Sequence, residues 1–212
     1  MSNAANTAAD VLMQGLRDDF GQTPSQTVGP YFAYGLTSVQ YGYDYAQLFD
    51  GVLALDAARG ERMSLEGRVF DGNGVAVFDA LIEISQVDGD GHYPASEADA
   101  ERVGFRAFGR GGTGVDAASR YRFETVKPGV AQAGSAPHVN VIVTMRGLLL
   151  NLFTRVYFAD EPQANAVDPV LGSVPAQRRR TLLAHRIERA GQTVYQFDIH
   201  MQGEHETVFF DL

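Results

Sequence analysis

The sequence predicts an all-β fold: an antiparallel β-sandwich with a long N-terminal arm and one short helix late in the chain. Three observations support this class. At least seven short segments rich in β-branched or aromatic residues are separated by turns of Gly, Pro, Asp and Asn. The sequence does not alternate strands with long helical segments, as βαβ units would require. The 23 glycines follow no collagen-like period, so we attribute them to turns.

The chain begins with a predicted extension at 1–22, followed by a single sandwich domain over 23–212. The extension is rich in Ala, Asn and Asp, which suits a short helix or a mobile arm. Residues 23–31 contain two prolines and a glycine, so they cannot form the interior of a helix or a central strand. Residues 32–62 are aromatic and acidic, and they predict a long irregular connection.

The predicted strands follow in order along the rest of the chain. They are 65–71, 75–77, 80–87, 121–126, 138–146, 148–158, 193–201 and 206–211. Gly72-Asn73-Gly74 predicts a tight hairpin turn between the first two. A helix is predicted at 175–188, because proline lies near its start and two leucines fall on one side. The glycine-rich segment 109–114 is expected to be a flexible loop.

Composition and charge exclude several classes of site. The sequence has no cysteine, which excludes disulfides, thiolate nucleophiles and cysteine metal sites, and nothing indicates an oxidising compartment. A formal net charge of −9 argues against nonspecific nucleic-acid binding. No stretch approaches the ~18–20 apolar residues of a membrane span. The first residues lack the basic start and apolar block of a signal peptide, so we expect a soluble cytoplasmic protein.

The predicted strand at 138–146 has two different faces. Its odd positions are three valines and Met145, while its even positions are His, Asn, Ile, Thr and Arg. Because side chains alternate across a strand, the odd face is expected to pack in the core. The even face then looks at solvent, a pocket or a partner. Imidazoles two residues apart on one face can share a metal, but after His138 the second position is Asn140, whose amide is a weak substitute.

The remaining candidate sites are weak. His200 and His205 flank a turn at Gly203, next to Glu204 and Glu206. Imidazoles and carboxylates can form a metal site, but we interpret these as polar residues at a strand end. The sequence contains no nucleophile elbow, phosphate-binding loop or dinucleotide fingerprint.

Six segments, in order from residue 23 to the C-terminal tail, resemble one family. They are Thr23-Pro24-Ser25-Gln26-Thr27-x-Gly29-Pro30-Tyr31, Gly67-x-Val69-x-Asp71-Gly72-Asn73-Gly74, Val126-Lys127-Pro128-Gly129, Ala136-Pro137-His138-x-Asn140, Tyr157-Phe158-x-Asp160-Glu161 and Gly203-Glu204-x-Glu206-Thr207-Val208-Phe209-Phe210. They resemble the intradiol ring-cleaving dioxygenases, and among these the alpha subunits of heteromeric members. The resemblance implies the β-sandwich of that family for residues 23–212.

The resemblance also implies where the family's active subunits bind iron. Those subunits hold one ferric ion with two tyrosines and two histidines, which suit Fe(III). The corresponding positions here are Tyr93, Ala131, His138 and Asn140, so two of the four ligands are missing. A nearby arginine and a nearby glutamine are replaced by Ser135 and Arg155, and a guanidinium there would repel a metal ion. We therefore expect no metal and no catalytic residue in this chain alone.

By resemblance, the chain pairs with an iron-bearing beta subunit of the same fold in a larger hetero-oligomer. The Fe(III) then belongs to the partner, and the implied reaction cleaves protocatechuate, a small aromatic acid, with O2 to 3-carboxy-cis,cis-muconate. The residues expected to bind substrate at the partner's pocket are Thr27, Gly29, Pro30, Tyr31 and Arg146. Polar and cationic groups at a pocket mouth can orient a substrate carboxylate. Arg146 lies about 26 Å from His138 along an extended strand, too far to share one small pocket.

Two alternatives stay open from the sequence. The chain could belong to a dioxygenase for another substituted catechol, such as a sulfonated one. It could also be a catalytically silent homo-oligomeric protein that binds a small aromatic ligand near Tyr93 and His138. The segment 27–31 argues against the second, because it makes sense as a contribution to a neighbour's pocket.

Overall fold

The computed structural model describes residues 24–29, 31–114 and 116–211, and it confirms a mainly β fold. The predicted extension at 1–22 lies outside these residues. Within the described ranges, nine strands join one hydrogen-bonded sheet. They are β1 (Arg62–Phe70), β2 (Leu81–Ser85), β3 (Phe108–Gly112), β4 (Arg120–Val126), β5 (His138–Thr144), β6 (Leu152–Phe158), β7 (Leu183–Arg189), β8 (Gln192–Gln196) and β9 (Ile199–His200).

Short helices connect the strands. They are α1 (Phe32–Leu36), α2 (Glu97–Val103), α3 (Pro162–Val167) and α4 (Pro169–Ser173), with 310 turns at Ser38–Tyr41 and Arg179–Leu182. Both α3 and α4 begin with proline, whose missing N–H is no loss in a first helical turn. The helix α2 begins after Ser96, whose side chain accepts the Asp99 N–H, and ends at the left-handed Gly104. None of the helices in the described ranges is long and apolar enough to cross a membrane.

The strand order is β3-β2-β5-β6-β7-β8-β1-β4, with β9 beside β1. The two ends of this order, β3 and β4, approach one another, so the sheet is nearly closed into a sandwich. Most neighbours are antiparallel, as predicted, but β6–β7, β1–β8 and β1–β9 are parallel. The parallel β6–β7 pair follows from its connection, because the chain crosses over through α3 and α4 before β7 begins.

The core lies between the two halves of the sheet, and β5 contributes to it as predicted. Val139, Val141 and Val143 are buried, while His138 and Asn140 on the other face are half-buried. The buried valines belong to a cluster that includes side chains from both halves, among them Leu65, Ile82, Phe123 and Val156. The alternation of side chains along β5 therefore leaves His138 and Asn140, rather than the valines, available for a site.

The helix predicted at 175–188 is wrong. Its place is taken by the 310 turn at Arg179–Leu182 and by β7. Ala190 and Gly191 both have positive φ, 50° and 78°, and Arg189 pairs with Gln192 across them. Two residues with positive φ form the hairpin turn that matches the twist of a β-sheet. Pairing with β8 thus satisfies the backbone N–H and C=O groups that a helix would have satisfied internally.

The glycine-rich segment predicted as a flexible loop is the edge strand β3 over most of its length. It pairs with β2 from Leu81–Gly112 to Ser85–Phe108. A Cβ at position 109 would lie 2.4 Å from the side chain of the fully buried Leu53. Glycine is therefore required there by packing rather than by mobility.

Two short predicted elements have different outcomes. The hairpin turn at 72–74 is present, because Gly74 donates to Asp71 O at 3.0 Å and Val77 donates to Val69 O at 2.7 Å. The strand predicted at 206–211 is wrong, since only Phe210 forms an isolated bridge there, with Phe153. The start of this segment is held as a turn against β9, where Thr207 donates its N–H to His200 O.

Candidate functional site

Strand β5 brings the sequence-predicted residues to two separate places. We call one place the β5 start, formed by His138, Asn140, Arg155, Tyr157 and Asp168. The other is the β5 end, formed by Thr27, Phe78, Asp79, Arg146 and Gly147. The strand itself spans His138–Thr144, so the two places lie at opposite ends of it.

The β5 start is built by neighbouring strands in register. In the ladder with β6, His138 lies opposite Tyr157 and Asn140 lies opposite Arg155. His138 Nδ1 donates to the carbonyl oxygen of Ala136 at 2.8 Å. Burial lowers the pKa of His138, and the charge of Arg155 lowers it further, while the Ala136 hydrogen bond and Asp168 act in the opposite direction. The imidazole is therefore neutral and already engaged at Nδ1.

Asp168 is the anchor of the β5 start and is almost completely buried. Its Oδ1 accepts the Leu171 N–H at 2.7 Å and the Tyr157 hydroxyl at 3.1 Å, and its Oδ2 accepts the Ala136 N–H at 2.8 Å. Burial opposes ionisation of Asp168, but these hydrogen bonds prevail and leave its pKa lowered. Burial raises the pKa of Tyr157 to about 12, so its phenol stays a donor. The carboxylate thus holds three segments together.

The other two positions that the resemblance assigns to iron lie on touching loops. Gly129 donates to Asp88 O at 2.8 Å, and a Cβ on Gly91 would meet the carbonyl oxygen of Val130. Tyr93 follows the first loop and is 52% exposed, while Ala131 follows the second and offers only a methyl group.

These residues do not fit a ferric ion. Ala131 has no donor atom, and Asn140 offers an amide where an imidazole would be needed. Arg155 lies directly across the ladder from Asn140 and brings a permanent positive charge. Among the residues that the structure describes, no group of three or more His, Cys, Asp or Glu side chains is arranged to hold a metal ion.

The β5 end joins residues that are far apart in sequence. The N–H of Gly147 donates to Thr27 Oγ1 at 2.8 Å, which ties the proline-rich segment to the turn after β5. Gly29 accepts the Phe32 N–H at 3.2 Å, and Tyr31 packs edge-on against Tyr34 with ring centroids 5.8 Å apart. Two predicted substrate-binding elements, the proline-rich segment and Arg146, are therefore neighbours. Pro30 lies outside the described residues.

Arg146 is held in place but stays accessible. Its Nε forms an ion pair with Asp79, and its guanidinium lies over the Phe78 ring at 5.6 Å. The Arg146 side chain is 48% exposed, whereas that of Asp79 is 14% exposed. A guanidinium has five N–H donors, so one ion pair at Nε leaves others free for a second anion.

Sequence reasoning missed Asp79 as the residue that orients Arg146. The β2–β5 ladder pairs Leu81 with Thr144, and continuing that register places Asp79 opposite Arg146. The signal existed as opposite charges flanking two predicted strands, but it could be used only once the pairing of those strands was known. Burial raises the pKa of Tyr41, and interactions with Tyr34 and Asp79 raise it further.

Large apolar side chains around the β5 end are exposed to solvent. They are Tyr31 at 78%, Phe78 at 59%, Leu149 at 61% and Leu150 at 69%. Phe78 touches Arg146, Tyr31 follows the segment that contains Thr27, and the two leucines follow Gly147. Exposed apolar residues grouped in this way are typical of a surface that contacts another protein.

Comparisons with known proteins show the family to which the chain is similar. The family model described as Dioxygenase matches residues 29–203. The chain is 58% identical to the protocatechuate 3,4-dioxygenase alpha chain of Burkholderia cepacia, covering 90% of this chain and 98% of the relative. It is 31% identical to the protocatechuate 3,4-dioxygenase beta chain of the same species, covering 70% and 67%. An intradiol ring-cleavage dioxygenase from Tetranychus urticae shares the fold, with a TM-score of 0.55 at 15% identity over 85% of this chain and 94% of that one.

Proposed function

Because the chain belongs to the intradiol ring-cleaving dioxygenase family, we propose that it is the iron-free alpha subunit of a heteromeric protocatechuate 3,4-dioxygenase. The observation that carries the proposal is the 58% identity to an alpha chain over almost the whole length. The similarity to a beta chain supports a partner of the same fold. The family uses non-haem iron, and the β5 start does not fit that metal, so the Fe(III) is assigned to the partner. A cytoplasmic location belongs to the same proposal.

The reaction opens the ring of protocatechuate with O2 between the two hydroxyl-bearing carbons and gives 3-carboxy-cis,cis-muconate. When bound in the partner, Fe(III) supplies the chemistry of ring cleavage. The carboxylate of this substrate lies away from the hydroxyl groups that react. A second subunit can therefore bind the carboxylate without touching the reacting atoms, and that is the role we assign to this chain.

Arg146 is the residue assigned to the substrate carboxylate. Its guanidinium is oriented by Asp79 and Phe78 before any ligand arrives, so little side-chain entropy is lost on binding. A charge-assisted hydrogen bond to a carboxylate is stronger than a neutral one. The ion pair with Asp79 offsets part of the positive charge of Arg146. The exposed side of Arg146 stays available to a partner or substrate.

The proline-rich segment is assigned as part of the wall of the partner's pocket. Thr27, Gly29, Pro30 and Tyr31 form this wall with Arg146 beside them. The 2.8 Å hydrogen bond from Gly147 to Thr27 supports this role, because it fixes the segment next to Arg146. The exposed Tyr31, Phe78, Leu149 and Leu150 support burial of the same corner against another subunit.

Co-expression with an iron-bearing beta subunit tests the proposal. Oxygen uptake with protocatechuate is measured for this chain alone, for the beta subunit alone and for the purified complex. We expect the complex to be active and this chain alone to be inactive. Activity of this chain alone would overturn the division of roles. Faster turnover of a sulfonated catechol than of protocatechuate by the complex would overturn the substrate.

A further inference from the structure

A cavity of about 460 Å³ opens on a part of the molecule that the proposed function does not use. It lies between β7, β8, β9 and the turn that follows β9. Its lining is Arg180, Thr181, Leu183, His185, Gln196, Phe197, Asp198, His200, His205 and Thr207. The volume falls within the range of small-molecule sites. No residue of the β5 start or of the β5 end lines it.

The cavity gathers groups that attract an anion. Arg180, His185, His200 and His205 line it, and Asp198 is the single carboxylate among its lining residues. Asp198 Oδ1 already accepts the backbone N–H of Arg68 at 2.9 Å. On a chain with a net charge of −9, four cationic or protonatable groups around one carboxylate are an unusual concentration.

Several donors in this cavity have no hydrogen-bond partner among the described residues. Within the described ranges, the side chain of Arg180 forms no ion pair and no hydrogen bond, and neither do the imidazoles of His185, His200 and His205. His138 differs, because its ring already bonds to Ala136. Thr181 and Thr207 are engaged, since their hydroxyls accept the N–H groups of Val208 and His200. The anion-binding capacity therefore rests on Arg180 and the three histidines.

The walls of the cavity suit a flat apolar group. His200 stacks on Phe70 with ring centroids 5.0 Å apart and an interplanar angle of 20°. His205 meets His200 edge-on at 6.1 Å. Leu183 adds an aliphatic surface. Supported rings of this kind pack against planar ligands.

We propose that this cavity is a second ligand site that binds a small planar carboxylate. The carboxylate lies against Arg180, which favours bidentate recognition of such groups, with the histidines as further donors. The planar part lies against His200, His205 and Leu183. The site belongs to this chain alone and does not depend on iron or on the beta subunit.

The five histidines of the chain provide an internal test. Benzoate is titrated into the full chain at constant ionic strength while the imidazole proton resonances are followed by NMR. We expect saturable shifts for His185, His200 and His205, with His92 and His138 unchanged. Shifts of His138 instead would place the ligand at the β5 start and overturn the proposal. Equal shifts with sodium chloride, or shifts that never saturate, would overturn it as well.

A charge-removing variant makes the test quantitative. Arg180→Gln is expected to weaken benzoate binding at least tenfold in the same titration. His205→Gln is expected to weaken it several-fold, and it serves as the second variant if Arg180→Gln does not fold. The matched control is Arg102→Gln on α2, because Arg102 is exposed and pairs with Asp99, far from the cavity in the sequence. Unchanged affinity in both cavity variants would contradict the site.

Discussion

The two ends of β5 differ in how their polar side chains are satisfied. At the β5 start, Asp168 is 2% exposed and three donors from this same chain fill its hydrogen bonds. At the β5 end, the Arg146 side chain is 48% exposed and engages one carboxylate. One end is closed by internal bonds, and the other keeps donors available to another molecule.

This difference shows how the β5 start is held together without a metal ion. Asp168 ties Ala136, Tyr157 and α4 together, so these segments stay fixed without a metal. We therefore propose that the β5 start serves stability and that the β5 end serves substrate orientation.

The largest expected effect is a loss of stability at the β5 start. Asp168→Asn removes the buried charge and leaves the Ala136 N–H without an acceptor, so we expect the free energy of unfolding to fall by about 2–4 kcal/mol. Chemical denaturation measures it. The control is Asp116→Asn, because Asp116 lies on an exposed loop and its carboxylate accepts the Ala118 N–H. An equal loss of unfolding free energy in the two variants would contradict the anchoring role of Asp168.

The same variant has a defined dependence on pH. Since the folded-state pKa of Asp168 is lowered, its stabilisation is complete above the unfolded carboxyl pKa of about 4 and is lost as pH falls through the folded value. The stability difference between wild type and Asp168→Asn should therefore shrink below about pH 4. A difference that stays constant into strong acid would contradict the linkage.

The next largest effect is expected at the β5 end. Arg146→Ala in the complex removes a charge-assisted hydrogen bond of about 1.5–3 kcal/mol, so KM for protocatechuate should rise about 10–100-fold. Steady-state oxygen uptake measures it. The control is Arg102→Ala, which removes an exposed arginine on α2. An unchanged KM for Arg146→Ala would take this residue out of the pocket.

A smaller effect is expected for the tether of the proline-rich segment. Thr27→Val keeps the shape of the side chain but removes the acceptor of the Gly147 N–H, a hydrogen bond of about 1 kcal/mol. We expect kcat/KM of the complex to fall about 3–10-fold. Thr193→Val is the matched control, because its hydroxyl bonds to Glu188 on a distant hairpin. Equal losses in the two variants would show that the tether has no specific role.

The smallest effect is expected for His138. Its lowered pKa means that the folded state resists protonation, so wild-type stability should fall as pH drops below the unfolded value of about 6.5. His138→Gln removes this loss and should flatten the stability profile below about pH 6.5. Activity of the complex should stay unchanged. A marked loss of activity would show that the β5 start still takes part in catalysis.

Much of the fold could be predicted from local patterns. The alternation along β5 identifies the buried valines, and the glycine turn at 72–74 marks a hairpin. The prediction of a late helix is wrong because Leu182 and Leu183 fit a helical period as well as a strand. Pairing with β8 selects the strand. The prediction of a flexible loop at 109–114 is wrong, because glycine is required there by packing against Leu53, a residue far away in the sequence.

The candidate site could be predicted only in part, for the same reason. The family resemblance implies, without any structure, that the residue types at 131 and 140 lack the donors of an iron site. The contact between Thr27 and Gly147 spans 120 residues, and the pairing of Asp79 with Arg146 depends on strand register. Neither leaves a pattern within one segment. The anchoring role of Asp168 could not be predicted either, because Asp168 lies beyond β6 in the chain.

The most direct test of the central claim is the iron content of the purified chain compared with that of its complex with the beta subunit. Metal analysis by mass spectrometry should give no stoichiometric iron on this chain alone and one iron for each alpha–beta pair in the complex. One iron per chain on the isolated protein, lost on His138→Ala, would contradict the account.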